Sequence, residues 1–442
     1  IIDRMQRHFA TFACLFPEME VLSSIYGAIL SGHLTTSGFA PEVAAISELC
    51  VGATLALHKE VADSFLPTAV KFHYQWNLRE LSAVFQGLTL ATPEYFTAPL
   101  QLARLWRHEV FRVYADRLTS EPDAIRFDEI CGRVTKTYFE ELAPPEELMA
   151  TPLIFTNFAI ASSDEKIYFS IDTWDRLKRT LESRLAEYNE SYARMDLVLF
   201  EQAMEHVTRI SRIIDNPRGN AMLVGVGGSG KQSLTRLAAY ISGYGVFQVK
   251  LTSSYSMADF KADVFSLYTR CGLKGDGVVF LFTDQQVLHE RMLVYFNDIL
   301  SIGLPPDLYN PEEKDNAINA IRPEVKAAGQ VDSRDNNWNF FLDRVRKNLH
   351  VVLCMSPVGP GMRNRCRKFP ALSSCTVIDW FHAWPQEALV SVAMRFLEEV
   401  EMASDEIREN VAHHMAYVHQ SVEEGTGAYL AQERRNVYTT PK

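Results

Sequence analysis

AMLVGVGGSGKQSLTRLAAYI, residues 221–241, decides the fold. Four apolar residues ending at Val224 read as a buried strand, Gly225–Ser233 as a glycine-rich turn and Leu234–Ile241 as a helix. Glycines let the backbone curl so that successive amide N–H groups point at phosphate oxygens, and the helix N-terminus adds partial positive charge. Lys231 stands where its ammonium would reach β- and γ-phosphates. The same glycines satisfy G-x-G-x-x-G, the dinucleotide pattern, which has no use for Lys231 and expects an acid about 20 residues on to bind ribose. No Asp or Glu occurs between Lys231 and Met257, which favours the phosphate loop over that alternative and over a purely structural turn. The candidate nucleotide-binding residues are Gly225, Gly227, Gly228, Ser229, Gly230, Lys231, Gln232 and Ser233. One fixed position departs: the residue after Lys231 should be Ser or Thr, whose hydroxyl ligates Mg²⁺, and here it is Gln232. Ser233 lies one step, about 100°, further round the helix and does not automatically substitute.

Val278–Thr283 is a second buried strand, and it ends in Asp284-Gln285. An acid at such a strand end would hold Mg²⁺ through water. Glu normally follows it as the base that activates the attacking water. The amide of Gln285 positions water but accepts no proton, so no catalytic base is assigned. A third strand, His350–Met355, ends in Ser356-Pro357, where Ser356 is either a sensor of the terminal phosphate or a turn residue. Arg363, Arg365, Arg367 and Lys368 form a basic knot, read either as a solvated loop or as groups that reach a neighbouring nucleotide.

The 442 residues suggest two to four domains at roughly 100–200 residues each. An apolar fraction of 47% and a charged fraction of 22% exclude a disordered chain, a collagen and a long coiled coil. Apolar runs fall short of the about 20 residues that cross a bilayer, so no membrane partner is expected. A net charge of −11 argues against a general nucleic-acid binder. Seven cysteines without a C-x-x-C pair or a zinc-ligand spacing read as reduced and intracellular. H-E-x-x-H and G-x-S-x-G are absent. The chain opens without Met and is read as a piece of a longer polypeptide.

Residues 1–120 read as helical. Phe9, Phe12, Leu15 and Phe16, then Leu22, Ile25 and Ile29, recur at spacings of three and four, and another helix is expected over Leu102–Leu118. Residues 121–200 read as a polar, Pro-marked stretch with a helix over Trp174–Glu187, and Leu153–Phe158 is the sole strand candidate before residue 220. Five apolar runs follow: Ala221–Gly225, Val246–Leu251, Val278–Thr283, His350–Met355 and Thr376–Trp380. With helices between them they predict a parallel α/β sheet. Helical patterning resumes over Gln386–Glu401 and Glu406–Val422. Trp380 and Trp384 are expected in the core.

Together these motifs resemble part of a dynein heavy chain of the axonemal type, over nearly the whole chain. The resemblance is carried by MLVGVGGSGKQSLTRLAAYISGY (222–244), FLFTDQQV (280–287), LHVVLCMSPVGP (349–360) and RCRKFPALSSCTVIDWFHAWPQEAL (365–389). It implies an α/β P-loop AAA+ fold: a five-stranded parallel sheet with helices on both faces, preceded and followed by helical lid subdomains. Residues 1–142 resemble the helical lid of the third AAA+ module, through RMQRHFATFACLFP (4–17), KFHYQWNLRELSAVFQG (71–87) and RLWRHEVFRVYADRL (104–118). Residues 143–385 resemble the large subdomain of the fourth module and 386–442 the start of its lid. Gln232 and Gln285 look like the habit of axonemal fourth modules. The resemblance further implies ATP or ADP with Mg²⁺ at Asp284, Arg79 as a sensor arginine for the third module's nucleotide, and Arg363, Arg365 or Arg367 facing that site. The implied whole is a minus-end-directed microtubule motor of the ciliary or flagellar axoneme. Its partners would be the other AAA+ modules of its ring, the microtubule through a stalk outside this segment, and intermediate and light chains. The alternatives are a stand-alone P-loop ATPase acting on another macromolecule and a nucleotide-bound scaffold.

Overall fold

The computed structural model describes residues 3–158, 166–435, 437 and 439. They form two compact units. The first takes the described residues up to Leu66, then Trp76–Val110 and Ile125–Ala150; the second takes Pro67–Gln75, Phe111–Ala124 and the described chain from Thr151 onward.

The first unit is helical. Its long helices are Met19–Thr36, Ser47–Ser64, Leu78–Leu88 and Pro99–Val110, with most of Glu121–Phe139. Met19–Thr36 buries Leu22, Tyr26, Leu30 and Leu34, one residue per turn, and Tyr26 stacks on Phe85 at 4.5 Å. Ile25 and Ile29, expected on the buried face, are about half exposed. Trp106 is fully buried, its indole N–H donating to the Thr54 hydroxyl at 2.9 Å.

Two short strands, β1 (Ile154–Thr156) and β2 (Phe169–Ile171), pair antiparallel. The main sheet contains β3 (Ala221–Val224), β4 (Gly245–Gln248), β5 (Val278–Thr283), β6 (Leu349–Met355) and β7 (Val377–Trp380). Its order is β4-β5-β6-β3-β7, with every pair parallel. Strand side chains alternate between faces. Met222, Phe280, Phe282, Val351 and Leu353 join one core with Phe260, Phe296 and Phe341 from helices Met257–Thr269, Glu290–Ser301 and Arg334–Asn348. Leu223, Val279, Leu281 and Val352 join the other with Leu177, Val207, Ile210 and Leu237 from helices Trp174–Ser191, Glu201–Asp215 and Lys231–Ile241. Helices therefore cover both faces, which is why β5 and β6 are buried at every position rather than at every second one. Each buried Phe or Leu contributes roughly 2 kcal/mol through area removed from water. The helices Gln386–Leu397 and Asp405–Glu433 pack on each other through Ala393, Leu397 and Ala412.

The N-terminal expectation fails. Helix occupies only Asp3–Gln6, residues 10–18 carry none, and Phe12 and Leu15 are 86% and 87% exposed. A single turn has too few hydrogen bonds to offset its nucleation cost, and Pro17 disfavours helical backbone at Phe16. Conversely, Glu121–Phe139 is a helix where a polar stretch was expected. Pro122 sits in its first turn, where no N–H is needed, and Phe127, Ile130, Cys131 and Val134 make its buried stripe. Trp384 lies on a cavity wall instead of in the core.

Candidate nucleotide site

A parallel sheet presents its strand ends, and the loops that follow them, along one edge. Val224, Thr283 and Met355 end the three adjacent strands β3, β5 and β6, so the loop after β3, Asp284 and Ser356 all leave from that edge. Gly225 N donates to Met355 O at 3.1 Å, and Phe381 N donates to Val224 O at 2.8 Å, which clamps the loop's first residue between β6 and β7. A Cβ on Gly225 would lie 2.7 Å from the Phe381 Cβ, so no side chain fits there. Gly228 and Gly230 sit at φ 81° and 84°, open to glycine at little cost, and they turn the chain into helix Lys231–Ile241. Lys231 folds over the loop: its Nζ donates to Gly225 O and Val226 O, each at 2.7 Å, and to Ser229 Oγ at 3.0 Å. Burial lowers the Lys231 pKa, and the nearby Asp284 carboxylate acts to raise it.

Asp284 opens a short turn, Asp284–Gln286, directly after β5. Its Oδ2 accepts from Ser356 N at 3.1 Å, which joins the ends of β5 and β6. The Ser356 hydroxyl accepts from Val358 N at 3.3 Å, as a turn serine does. Gln285 is exposed; the buried amide is its neighbour. Gln286 Oε1 accepts from Thr283 N at 2.8 Å and from its hydroxyl at 3.2 Å, while Nε2 donates to Val249 O at 2.6 Å. That latch was not read from the sequence. Only its capping-box spacing, Thr followed by Gln at the third position, announces it.

Gln232 is exposed, and its Oε1 accepts from Gln248 Nε2 at 3.2 Å; Gln248 in turn accepts from Arg236. The chain thus places an amide, already engaged by the end of β4, where a hydroxyl would meet a metal. No cluster of three or more His, Cys, Asp or Glu suited to a metal occurs among the described residues, and Asp284 is the acid that directly follows β5. A metal held by one carboxylate and phosphate oxygens fits such a donor set.

Beside the loop lies a cavity of 260 Å³. Gly228, Gly230 and Ser233 form one wall, and the aromatic side chains of Phe200, Phe381 and Trp384, with aliphatic ones such as Leu197 and Val198, line much of the rest. Phe200 meets Trp384 edge to face at 5.1 Å. Arg363, Arg365 and Arg367 are on the helix Gly361–Lys368, not in a loop; Arg363 donates to Ala69 O at 3.4 Å, Lys368 pairs with Glu290 and Arg367 is exposed. Arg79 is exposed in the first turn of Leu78–Leu88, in the first unit.

A family model described as the P-loop containing dynein motor region D4 matches residues 195–442, and one described as an AAA+ lid domain matches residues 50–149. The chain belongs to the dynein motor-region family. It is 53% identical to the beta chain of flagellar outer-arm dynein from Chlamydomonas reinhardtii and 51% identical to the ciliary dynein beta chain of Tripneustes gratilla. It is 48% identical to dynein axonemal heavy chain 17 of Homo sapiens. Each match takes in all of this chain and 10% of the relative, so this dynein segment spans about a tenth of their length. The lid match ends at residue 149, one residue before the first unit ends, and the motor-region match starts beside Asp196 and Leu197 of the cavity wall.

Proposed function

We propose that this dynein segment binds ATP or ADP between the Gly225–Ser233 loop and the 260 Å³ cavity, and turns the nucleotide over poorly. Loop glycines and Lys231 take the phosphates, the aromatic cavity takes the base, and Asp284 holds Mg²⁺ through water. The observation that carries the reading is the pairing of an intact lysine-bearing loop with Gln285 at the place of the base. Mg²⁺, when bound, supplies Lewis-acid stabilisation of phosphate charge. Gln285 has no carboxylate to take the proton of an attacking water. Ser356 holds Asp284 through its amide.

The segment would then be the lid of a third AAA+ module (1–142), the large subdomain of the fourth (143–385) and the start of that module's lid (386–442). Nucleotide here would set stiffness between modules of an axonemal, minus-end-directed microtubule motor whose main hydrolysis lies elsewhere. Arg79 and Arg363, Arg365 or Arg367 would serve the neighbouring module's site. The stalk, intermediate chains and light chains lie outside the segment. The dynein names of the relatives support the axoneme as its location. Single-turnover ATP cleavage tests this reading: slow cleavage with tight retention is expected, and rapid cleavage abolished by Lys231→Ala would refute it.

A further inference from the structure

The cavity wall contains a histidine whose orientation is fixed from behind. His206, on helix Glu201–Asp215, lines the cavity, and its ring lies flat on Phe381 with centroids 3.7 Å apart and planes 4° from parallel. Its Nδ1 is 2.7 Å from Asp379 Oδ2, on β7. Asp379 is 1% exposed, and its other oxygen accepts from Arg209 at 3.1 Å. Arg209 is held in turn by Glu205 at 2.6 Å and Asp116 at 3.3 Å. Burial alone would raise the Asp379 carboxyl; its hydrogen bonds with His206 and Arg209 and the Arg209 charge outweigh it and hold it below the usual range.

An imidazole with one proton that donates from Nδ1 to a carboxylate has Nε2 as an acceptor. Nε2 is also the one ring nitrogen left for a ligand. An acceptor on the wall pairs with the 6-amino group of adenine. It opposes the 6-oxo group of guanine or hypoxanthine, because two acceptors facing each other leave both unsatisfied. We infer that His206 reads the purine 6-position and that Asp379 is the positioning residue that fixes its tautomer, so that the site selects adenine nucleotides over 6-oxo purine nucleotides. This deepens the nucleotide-site reading above and rests on it.

The test measures ADP and inosine diphosphate binding by calorimetry at pH 8, with Lys231→Ala as the background in which binding at this loop is weakened. The unaltered protein should bind ADP about tenfold or more tightly than inosine diphosphate, the effect of one misdirected hydrogen bond. His206→Phe keeps the stack on Phe381 and should bring the ratio near one. Asp379→Asn should invert it. Arg209 holds the asparagine oxygen, the asparagine N–H₂ then donates to His206 Nδ1, and the proton moves to Nε2, which becomes a donor matched to a 6-oxo group. A residue that merely props the wall would lower both affinities alike and leave the ratio unchanged. If Asp379→Asn does not fold, His206→Phe decides. Equal binding of the two nucleotides by the unaltered protein, or a ratio untouched by His206→Phe, overturns the inference while leaving the nucleotide site standing. Absence of any binding above the Lys231→Ala background overturns both.

Discussion

Lys231 donates to two loop carbonyls and to Ser229, so its ammonium stands over the loop's mouth before any phosphate arrives. Lys231→Ala removes that charge and should weaken nucleotide binding by roughly 10–100-fold, the worth of one charge-assisted contact. Titration calorimetry against ADP checks this, and unchanged affinity would place the ligand elsewhere. Gln285 poses the opposite test. It is exposed and follows an Asp284 already fixed by Ser356, so a carboxylate there needs no rebuilding of its surroundings. Gln285→Glu should raise single-turnover cleavage by ~10-fold or more, as a general base does. No gain would mean that Gln232, tied to Gln248, also limits the reaction through the metal. The double variant with Gln232→Thr separates the two effects.

At the scale of elements, Gln286 ties the end of β5 to the chain after β4. Gln286→Ala would leave buried Thr283 N and Val249 O without this partner and should cost roughly 2–4 kcal/mol. Gln285→Ala beside it should fall within about 0.5 kcal/mol, since exposed side chains contribute little. Urea midpoints at constant m-value compare them, and equal losses would contradict the latch. All five strands of the main sheet were legible, three of them because β3, β5 and β6 are buried along their whole length and give largely apolar runs, as Val278–Thr283 does. The turn after β3 and the place of Asp284 at the end of β5 were legible because the motif sets its glycines, lysine and strand-end acid at fixed spacing. Gln286, His206 and Asp379 were not, since their partners lie 37 or 173 residues away and no local pattern records a long-range hydrogen bond. Phe9–Phe16 misled for a related reason. Periodicity shows which side chains would share a face, and not whether anything packs on it.

Across the whole molecule, the second unit depends on two short segments far upstream of its sheet. Pro67–Gln75 brings His73 against Trp380 of β7, the rings stacked within 10° at 5.4 Å. His73 Nε2 donates to Arg117 O at 3.0 Å, on the other segment, and Nδ1 is buried with no partner among the described residues. A ring in that setting is held neutral: burial pushes the His73 pKa down from 6.5 to about 4, and burial also lowers that of His350. The unfolded chain takes up these protons near pH 6.5, whereas the native protein resists doing so until about pH 4 at His73. Between those values the unfolded state binds more protons, so stability falls as pH falls, and His73 alone accounts for roughly 3 kcal/mol of the loss. Below about pH 4 this contribution flattens, and carboxyls held down by partners, such as Asp379, take over. Urea unfolding at pH 7, 5.5 and 4.5 should therefore show a steady loss. His73→Phe keeps an aromatic ring against Trp380 but has nothing to titrate, so it should lower stability at pH 7 while flattening the slope. A variant as pH-dependent as the parent would mean that His73 is protonated in the native state, with its unpaired nitrogen reaching solvent.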